Sequence, residues 1–484
     1  EQMVSTIDHA TSHSDFHRQC GKLFAIYLLA GRHTLSKKQK SVLIKSAARV
    51  LPADTADEVR SLFTQDWQGL FFKLFRKVFN LSLTAANGWL DINDYSITPG
   101  GSASSAIRPG FKLSFTLWHN DEPIAPHDSA LHGDEIRVSQ PVLRCLLNPQ
   151  SNFFPYSLFQ GLLLEEVEIG VDVQGLTDII VHNQHGQLDA SKPFQPFGPL
   201  PTLNSKFVFG SHEVALKKLT ALSLDLQWGE LPKAGGGFST HYREYEGEYF
   251  NDLFVCKAAV LTDGEWLPKG EAAASTHKMF ESDSCGSKLV SGSRMRLNVT
   301  EYLSATPQTI STENYRYALG TRNGFFRLEL AGPDGAFGHE DYPKLLTATL
   351  SLNARFKNQK KLKPIPNPPY TPVLNSLSLN YRASASIDFT HPAAQKSGEK
   401  SGTVFHLHPF GIDTLSPLRG AQLLPSYQQQ GNLLIGLSSQ DVAGELTLFF
   451  HLAKESNHHN PSSGGPISWY YLSDNGWERL PDRR

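Results

Sequence analysis

Residues Gly324–Ala385 read GFFRLELAGPDGAFGHEDYPKLLTATLSLNARFKNQKKLKPIPNPPYTPVLNSLSLNYRASA, and this stretch decides the fold class. In Leu346–Phe356 and Leu377–Ile387, apolar residues alternate with polar or small ones, which is the period of a half-buried antiparallel strand. The prolines between the two patterns fix φ and remove backbone donors, so the segment that joins them cannot enter a central ladder. We therefore predict a stiff joint between two β-modules, with the candidate hinge residues Pro364, Pro366, Pro368, Pro369 and Pro372.

The length of 484 residues suggests about three domains, because a single hydrophobic core rarely grows so large. Hydrophobic residues make up 40% of the chain and charged residues 19%, which is ordinary for a globular protein. Aromatic residues make up 11%, and 29 of them are Phe. This surplus is typical of broad packed sheets or of extensive subunit interfaces.

The charge balance argues against a nucleic acid partner. The formal net charge is −2, and no long run of one sign occurs. The basic cluster Lys357–Lys363 is interrupted by uncharged residues, so we interpret it as a solvated loop. The four cysteines lack CxxC spacing, which argues against a zinc framework or a disulfide scaffold and suits a reducing cytoplasm. No apolar run reaches the roughly 18–20 residues of a membrane helix, so we expect no direct membrane span.

Residues 1–80 differ from the rest and are predicted to form a helical bundle or interaction segment. One helix is expected after Ser36 and ends before Pro52. From Val59 to Phe79, apolar residues follow the i, i+3, i+4 spacing of an amphipathic helix. Its apolar face is rich in Phe, so we expect it to pack against another surface. The candidate interaction residues are Leu70, Phe71, Leu74, Phe75, Val78 and Phe79.

After Asn80 the pattern is that of short strands separated by Gly, Pro, Asn and Ser, for example Phe111–Leu117, Val167–Val173 and Leu222–Trp228. The sequence predicts a mainly β protein with an α-helical N-terminal part and several antiparallel β-sandwich-like modules in one elongated multi-domain chain. The expected β-rich modules are 81–232, 248–362 and 373–484, with the proline-rich joint at 363–372. The glycine-rich segment Lys233–Gly247 is interpreted as a flexible connection.

Candidate catalytic or metal-binding sets are weak. His13 and His17 have helical i, i+4 spacing, and His406 and His408 share a strand face, but neither pair has a third ligand. Glu166 and Glu168 are interpreted as the solvent-facing phase of a strand whose other phase is apolar. No GxSxG motif, P-loop or dinucleotide-binding fingerprint is present. We therefore predict no enzyme activity, no cofactor and no metal.

Several dispersed strand and turn pieces resemble baseplate wedge proteins of contractile injection systems. The relatives are phage-tail-like particles such as the antifeeding prophage and the virulence cassettes of insect-associated bacteria and, more distantly, the wedges of contractile phage tails and of type VI secretion. The similarity covers roughly residues 80 to 484, and the pieces that carry it are Phe194–Gly198, Ser205–Gly210, Leu219–Trp228, Gly324–Leu330, Ala336–His339, Pro366–Pro372, Leu377–Tyr381, Leu424–Tyr427, Gly431–Leu437 and Trp469–Trp477.

This resemblance implies a structural role. Wedges of this kind link a central hub and spike to the sheath, and their rearrangement triggers contraction. The implied partners are other baseplate wedge chains, hub and spike proteins and sheath-proximal proteins in a six-fold assembly. The implied location is the baseplate of a particle that is assembled in the bacterial cytoplasm and then released or cell-anchored. In such relatives the chain continues beyond a segment like Trp469–Leu480, so we expect the third module to continue further.

Two other functions remain open at the level of sequence. The chain could be a carbohydrate-binding or carbohydrate-active β-sandwich protein of a tail or cell surface, because paired acids on such folds can act on sugars. A weaker alternative is a capsid protein or adhesin built from jelly rolls.

Overall fold

The computed structural model describes residues 36–50, 75–99, 110–133, 136, 138, 140–151, 159, 162–269, 276–298, 315–356, 359–390, 402–408, 411–415, 421–425, 433–437, 447–449, 468–473 and 476–480. They fall into two compact units. Unit 1 comprises the described parts of Glu1–Leu163, Phe405–Asp413 and Gln422–Arg484. Unit 2 comprises the described parts of Leu164–Val404 and Thr414–Ala421.

The described helices and strands follow one another along the chain, and strands predominate. In chain order they are α1 (Lys37–Val50), β1 (Phe79–Ala85), β2 (Gly88–Ile92), β3 (Ser96–Pro99), β4 (Phe111–Ser114), α2 (Ser129–His132), β5 (Leu143–Leu147), β6 (Glu166–Leu176), β7 (Ile180–Asn183), β8 (Gly186–Leu188), β9 (Lys206–Gly210), α3 (His212–Ala215), β10 (Leu219–Gly229), α4 (Phe238–His241), β11 (Val255–Thr262), β12 (Glu265–Leu267), β13 (Thr276–Lys278), β14 (Glu281–Ser282), β15 (Leu289–Val290), β16 (Gly292–Arg296), β17 (Phe326–Gly332), α5 (Tyr342–Asn353), β18 (Val373–Asp388), β19 (Phe405–His408), β20 (Gly411–Thr414), β21 (Tyr470–Ser473) and β22 (Gly476–Arg479).

The helix predicted after Ser36 is confirmed as α1. The Ser36 hydroxyl accepts the N–H of Gln39 at 3.3 Å, and the Gln39 side chain accepts the N–H of Ser36 at 2.9 Å. This reciprocal pair satisfies two backbone donors that a helix start leaves without intrahelical partners. In unit 1 the strands then form a sheet of order β2-β1-β5 and the hairpins β3-β4 and β21-β22.

The described residues of unit 2 form two large antiparallel sheets and the small hairpin β14-β15. One has the order β16-β10-β18-β6, and the other has the order β12-β11-β17-β9-β7-β8 with β13 beside β11. Leu224 of β10, Leu379 of β18 and Leu328 of β17 belong to one buried cluster. The two sheets therefore pack face to face over a shared core, which confirms the predicted mainly β fold with several antiparallel sheets.

The structure divides the chain differently from the predicted modules 81–232, 248–362 and 373–484. The sheet β16-β10-β18-β6 takes strands from all three of them, and β17 of the second module pairs with β9 of the first. A local period of two shows that a segment is a strand but not which distant strand it pairs with. The described strands of the three expected modules therefore share the sheets of unit 2, and these sheets do not separate at the expected boundaries.

Two strand and helix predictions need correction. Residues 346–353 of the expected strand Leu346–Phe356 lie in helix α5, which has Pro343 in its first turn, the position where proline favours a helix. In contrast, Leu377–Ile387 lies in strand β18 as predicted. The helical stripe predicted to reach Phe79 ends earlier, because Phe79 is the first residue of β1 and pairs with Leu147 of β5.

The glycine-rich segment Lys233–Gly247 is a core element rather than a flexible connection. It contains α4, and Phe238, Tyr242 and Tyr245 are buried in the main cluster. Gly237 has φ +56°, and a Cβ there would collide with the side-chain oxygen of Asn251, which instead accepts the N–H of Phe238 at 2.9 Å. Glycine is needed because the backbone turns sharply beside Asn251.

The aromatic core makes a direct prediction for stability. Phe254 is fully buried, with ring centroids 4.3 Å from Phe238 and 4.8 Å from Phe337. Phe254→Ala is expected to lower the free energy of unfolding of unit 2 by about 3–5 kcal/mol, because a cavity replaces the ring. The control Leu319→Ala, at a fully exposed residue, should change it by less than about 0.5 kcal/mol. Urea unfolding followed by tryptophan fluorescence measures both, and similar losses in the two variants would contradict the assignment of this core.

Candidate interaction surfaces

The apolar stripe predicted between Val59 and Phe79 has one part that is buried and another part that lies outside the described residues. Phe75, Val78 and Phe79 are buried in unit 1. The Phe159 ring stacks at 6.4 Å on Phe75 and at 5.9 Å on Phe79. These side chains therefore form the unit's own core, which leaves them no surface for another subunit. The candidate interaction residues Leu70, Phe71 and Leu74 lie outside the described residues.

The proline-rich segment 363–372 lies against the core of unit 2. The carbonyl oxygen of Asn367 accepts a hydrogen bond from the Tyr245 hydroxyl at 2.6 Å, and the Asn367 side chain donates to the carbonyl of His241 at 2.9 Å. The Nε2 atom of His241 donates to the carbonyl of Pro368 at 2.9 Å. The segment is therefore held at Asn367 and Pro368 by residues of the glycine-rich segment.

Tyr370 anchors the end of the proline-rich segment. Its ring is buried, its N–H donates to the Tyr242 hydroxyl at 2.9 Å, and its own hydroxyl donates to the carbonyl of Gly229 at 2.8 Å. Pro366 and Pro372 are buried as well, whereas Pro364 and Pro368 are exposed and Pro369 is half-buried. Both sides of the segment belong to unit 2, so the expectation of a spacer between two modules is corrected to that of a strap on one core.

The hairpin β21-β22 of unit 1 exposes apolar side chains. Tyr470 pairs with Arg479 and Leu472 pairs with Trp477, so these four side chains share one face. Leu472 is 61% exposed and Trp477 is 50% exposed. A two-stranded hairpin is marginally stable in water without a surface to pack on. This face is therefore a candidate contact with another chain.

The second exposed surface is on unit 2. It lies after helix α5 and combines apolar with basic residues. Leu350, Phe356, Leu362 and Ile365 are all exposed. The Asn353 side chain closes the turn, because it accepts the N–H of Lys363 at 2.8 Å and donates to its carbonyl at 2.9 Å. The lysines at 361 and 363 are exposed, in agreement with the solvated basic loop expected from the sequence.

The edge strand β6 is a third surface, and sequence reasoning missed it. Its polar phase, with Glu166 and Glu168, is exposed as expected. Its apolar phase is exposed too, since Ile169 is 55% and Val171 is 38% accessible. Alternation alone does not reveal this exposure, because it cannot show whether the apolar face of a strand is covered.

The sequence was compared with protein families and with curated proteins. The family model for "Baseplate protein PVC11-like" matches residues 39–483. The chain belongs to this family. No curated protein matches the sequence. Membership supports a structural role at the baseplate of a phage-tail-like particle, and it implies contact with other components of that particle.

The described part of this baseplate protein offers little support for the carbohydrate hypothesis. An open cleft beside β7 and β8 is lined by Asn183, His185, Gln187 and Gln195, and its lining contains no Asp or Glu. The aromatic ring in its wall, Phe194, is buried and so cannot stack on a sugar. Among the described residues, no group of three or more His, Cys, Asp or Glu could hold a metal ion. Within the same residues, no helix is long and apolar enough to cross a membrane.

Proline substitutions in the strap can separate the stability that comes from buried ring contacts from the stability that comes from the restricted unfolded chain. Pro366→Ser and Pro372→Ser are each expected to lower the free energy of unfolding by about 1–2 kcal/mol, because buried ring contacts are lost and the unfolded chain gains freedom. In the controls Pro364→Ser and Pro368→Ser only the unfolded chain changes, so the loss should stay below about 1 kcal/mol. Chemical denaturation of the four variants gives the comparison. Equal losses at buried and exposed positions would show that the segment does not pack on the core.

The buried His277 and the half-buried His182, His241 and His339 of unit 2 give an expected pH dependence of stability. Burial lowers the pKa of His182, His241, His277 and His339 below the ordinary value. The folded state therefore favours the neutral form, and its stability is fully present above the unfolded-state pKa of about 6.5 and falls as the pH drops below it. We expect a lower melting temperature at pH 5.5 than at pH 7.5.

The double variant His241→Gln/His339→Gln should show a smaller drop in melting temperature between these two pH values, because fewer histidines titrate.

The ion-paired carboxylates affect stability over a separate and lower pH range. Ion-paired hydrogen bonds from Arg382 and Arg294 lower the pKa of Asp172 and Asp225, so the stability from these pairs is lost only as the pH falls below about 4. A melting temperature that is unchanged or higher at pH 5.5 would contradict the burial of these histidines.

Proposed function

We propose that this baseplate protein is a non-enzymatic wedge component. In this role it links the central hub and spike to the sheath, and its displacement within a six-fold assembly takes part in triggering contraction. The observation that carries the proposal is the family match over residues 39–483, read together with the resemblance of the strand and turn pieces to wedge proteins.

The architecture of unit 2 supports a mechanical role. A wedge has to pass on a displacement, and this requires parts that move without deforming. Strands that are distant in sequence alternate within both sheets, and the strap joins the glycine-rich segment to β18. Close-packed cores of this kind transmit strain instead of absorbing it.

The exposed surfaces support permanent contact with other chains. Leu472 on the hairpin and Leu362 beside the basic loop are large apolar side chains that a stable assembly would cover. Leu70, Phe71 and Leu74 remain predicted partner contacts, since their half of the stripe continues the amphipathic pattern. The partners that we propose are other wedge chains, hub or spike proteins and sheath-proximal proteins.

The experiment uses particles from a strain in which the chain is deleted and then restored. We expect the deletion strain to yield few sheathed particles and the restored strain to yield complete ones, with the tagged chain found at the baseplate end by cryo-EM. Normal sheathed particles from the deletion strain, or a tag located elsewhere on the particle, would overturn the proposal.

Single substitutions sharpen this test. Leu472→Asp is expected to reduce complete particles at least about tenfold, because a charge would be buried where the hairpin meets its partner. Leu319→Asp is the matched control, since the same change occurs at a fully exposed leucine, and it should leave the yield unchanged. Both purified chains should melt like the wild type, so that a loss of assembly is not a loss of folding. Equal yields from the two variants would remove the hairpin from the interface.

A further inference from the structure

The end of helix α5 is tied to the segment that follows it, so the residues around this junction share one surface. The Asn353 side chain holds the backbone of Lys363 through two hydrogen bonds, at 2.8 and 2.9 Å. The carbonyl of Asn353 also accepts the N–H of Phe356 at 3.0 Å. Leu350 lies one turn earlier on α5, where residues i and i+3 are neighbours. Pro366 is buried, so the chain is fixed again three residues after Lys363.

Large apolar side chains are exposed around this junction. Their exposed fractions lie between 38% and 60%, and the residues are Leu350, Phe356, Leu362 and Ile365. A solvated basic loop does not require large apolar side chains, whereas a group of exposed ones is typical of a contact with another molecule. The name α5 patch is used below for these four residues together with Lys361 and Lys363.

The α5 patch is positively charged. From Tyr342 to Pro372 the sequence contains six basic residues and no Asp or Glu. The side chains of Lys361 and Lys363 are exposed, and neither forms an ion pair in the described part of the structure. The acids that precede α5, Glu340 and Asp341, lie at the opposite end of a helix of 12 residues, which is about 18 Å long. Two cations are therefore held beside exposed apolar residues with no carboxylate paired to them among the described residues.

We propose that the α5 patch binds a segment of a different chain of the particle, in which Asp or Glu residues flank apolar side chains. The apolar side chains of that segment would cover Leu362 and Ile365, and its carboxylates would pair with Lys361 and Lys363. Because Asn353 and Pro366 already hold the patch in place, binding would require little further ordering of this chain. The identification of the partner as a particle component rests on the proposed function, whereas the charge and exposure of the patch do not.

Charge and family membership favour this occupant over two others. A two-fold contact between the α5 patches of two copies would bring lysines against lysines, and like charges in an interface oppose association. An anionic lipid surface would attract the same lysines. Membership of the baseplate family, however, implies contact with other components of the particle, and this favours a protein partner.

The test is photo-crosslinking in intact particles. A photo-reactive phenylalanine analogue replaces Ile365 in the full chain, and the crosslinked peptide is identified by mass spectrometry. We expect one segment of another protein that contains both acidic and apolar residues. The same analogue at Leu319, which is fully exposed on unit 2, is the control and should give less than a tenth of that yield.

Charge variants complete the test. Lys361→Glu with Lys363→Glu should reduce the Ile365 crosslink at least tenfold, because carboxylates would then face carboxylates. The matched control Lys218→Glu with Lys233→Glu makes the same change in charge at exposed lysines elsewhere on unit 2 and should leave the crosslink unchanged. Replacing the acids of the identified segment by lysine should restore the crosslink to the charge-reversed chain. The melting temperature of each purified variant shows that it folds.

The outcomes separate this inference from the proposed function. If the chain is present in purified particles but Ile365 gives no crosslink, or the crosslink persists in the charge-reversed variant, the inference is overturned and the baseplate role stands. A crosslink only to lipid, to another copy of this chain or to a segment without acidic residues would also overturn it. Absence of the chain from particles would overturn the proposed function and this inference together.

Discussion

The hydroxyl group of Tyr242 joins segments that lie far apart in the chain. It accepts the N–H of Tyr370 at 2.9 Å and donates to the carbonyl of Phe337 at 2.9 Å. Burial raises the pKa of Tyr242 well above its ordinary value, so the hydroxyl stays protonated and keeps its donor. Around it, the rings of Tyr249 and Phe254 fill the space beneath the strap. The position of the strap, and with it the start of β18, depends on this buried group.

Because β18 lies between β10 and β6, the anchor at Tyr370 also fixes the edge that β6 presents to the outside. A baseplate protein needs surfaces that contact other components of the particle, and the proposed wedge role also needs these surfaces to stay at set positions while neighbouring subunits move. The aromatic core meets the second requirement through close packing. The exposed hairpin, the basic loop and the β6 edge meet the first. In unit 2, strands that are distant in sequence pair with each other, and the proline-rich segment packs on the same core instead of separating two modules.

The sequence predicts the mainly β class well, because strands such as Leu222–Trp228 and Leu377–Ile387 are half-buried and show a period of two. It fails at Leu346–Phe356, where a helix start at Pro343 overrides the alternation. It also fails at the glycine-rich segment, whose three glycines suggest flexibility although the tyrosines that follow are core residues. Strand order and the uncovered Ile169 depend on contacts between distant residues, which local patterns do not contain. The family, in contrast, is visible in dispersed turn and strand pieces.

Hydrogen exchange of the backbone amides in the full chain tests whether the strap belongs to the rigid core of unit 2. We expect the N–H of Tyr370, bonded to Tyr242, to exchange as slowly as the amides of the paired strands β10 and β18. We also expect Tyr242→Phe to accelerate exchange at Tyr370 and to leave the centre of β10 protected. Exchange of the Tyr370 amide at the rate of an unprotected loop in the wild-type chain would show that the strap is not part of this core.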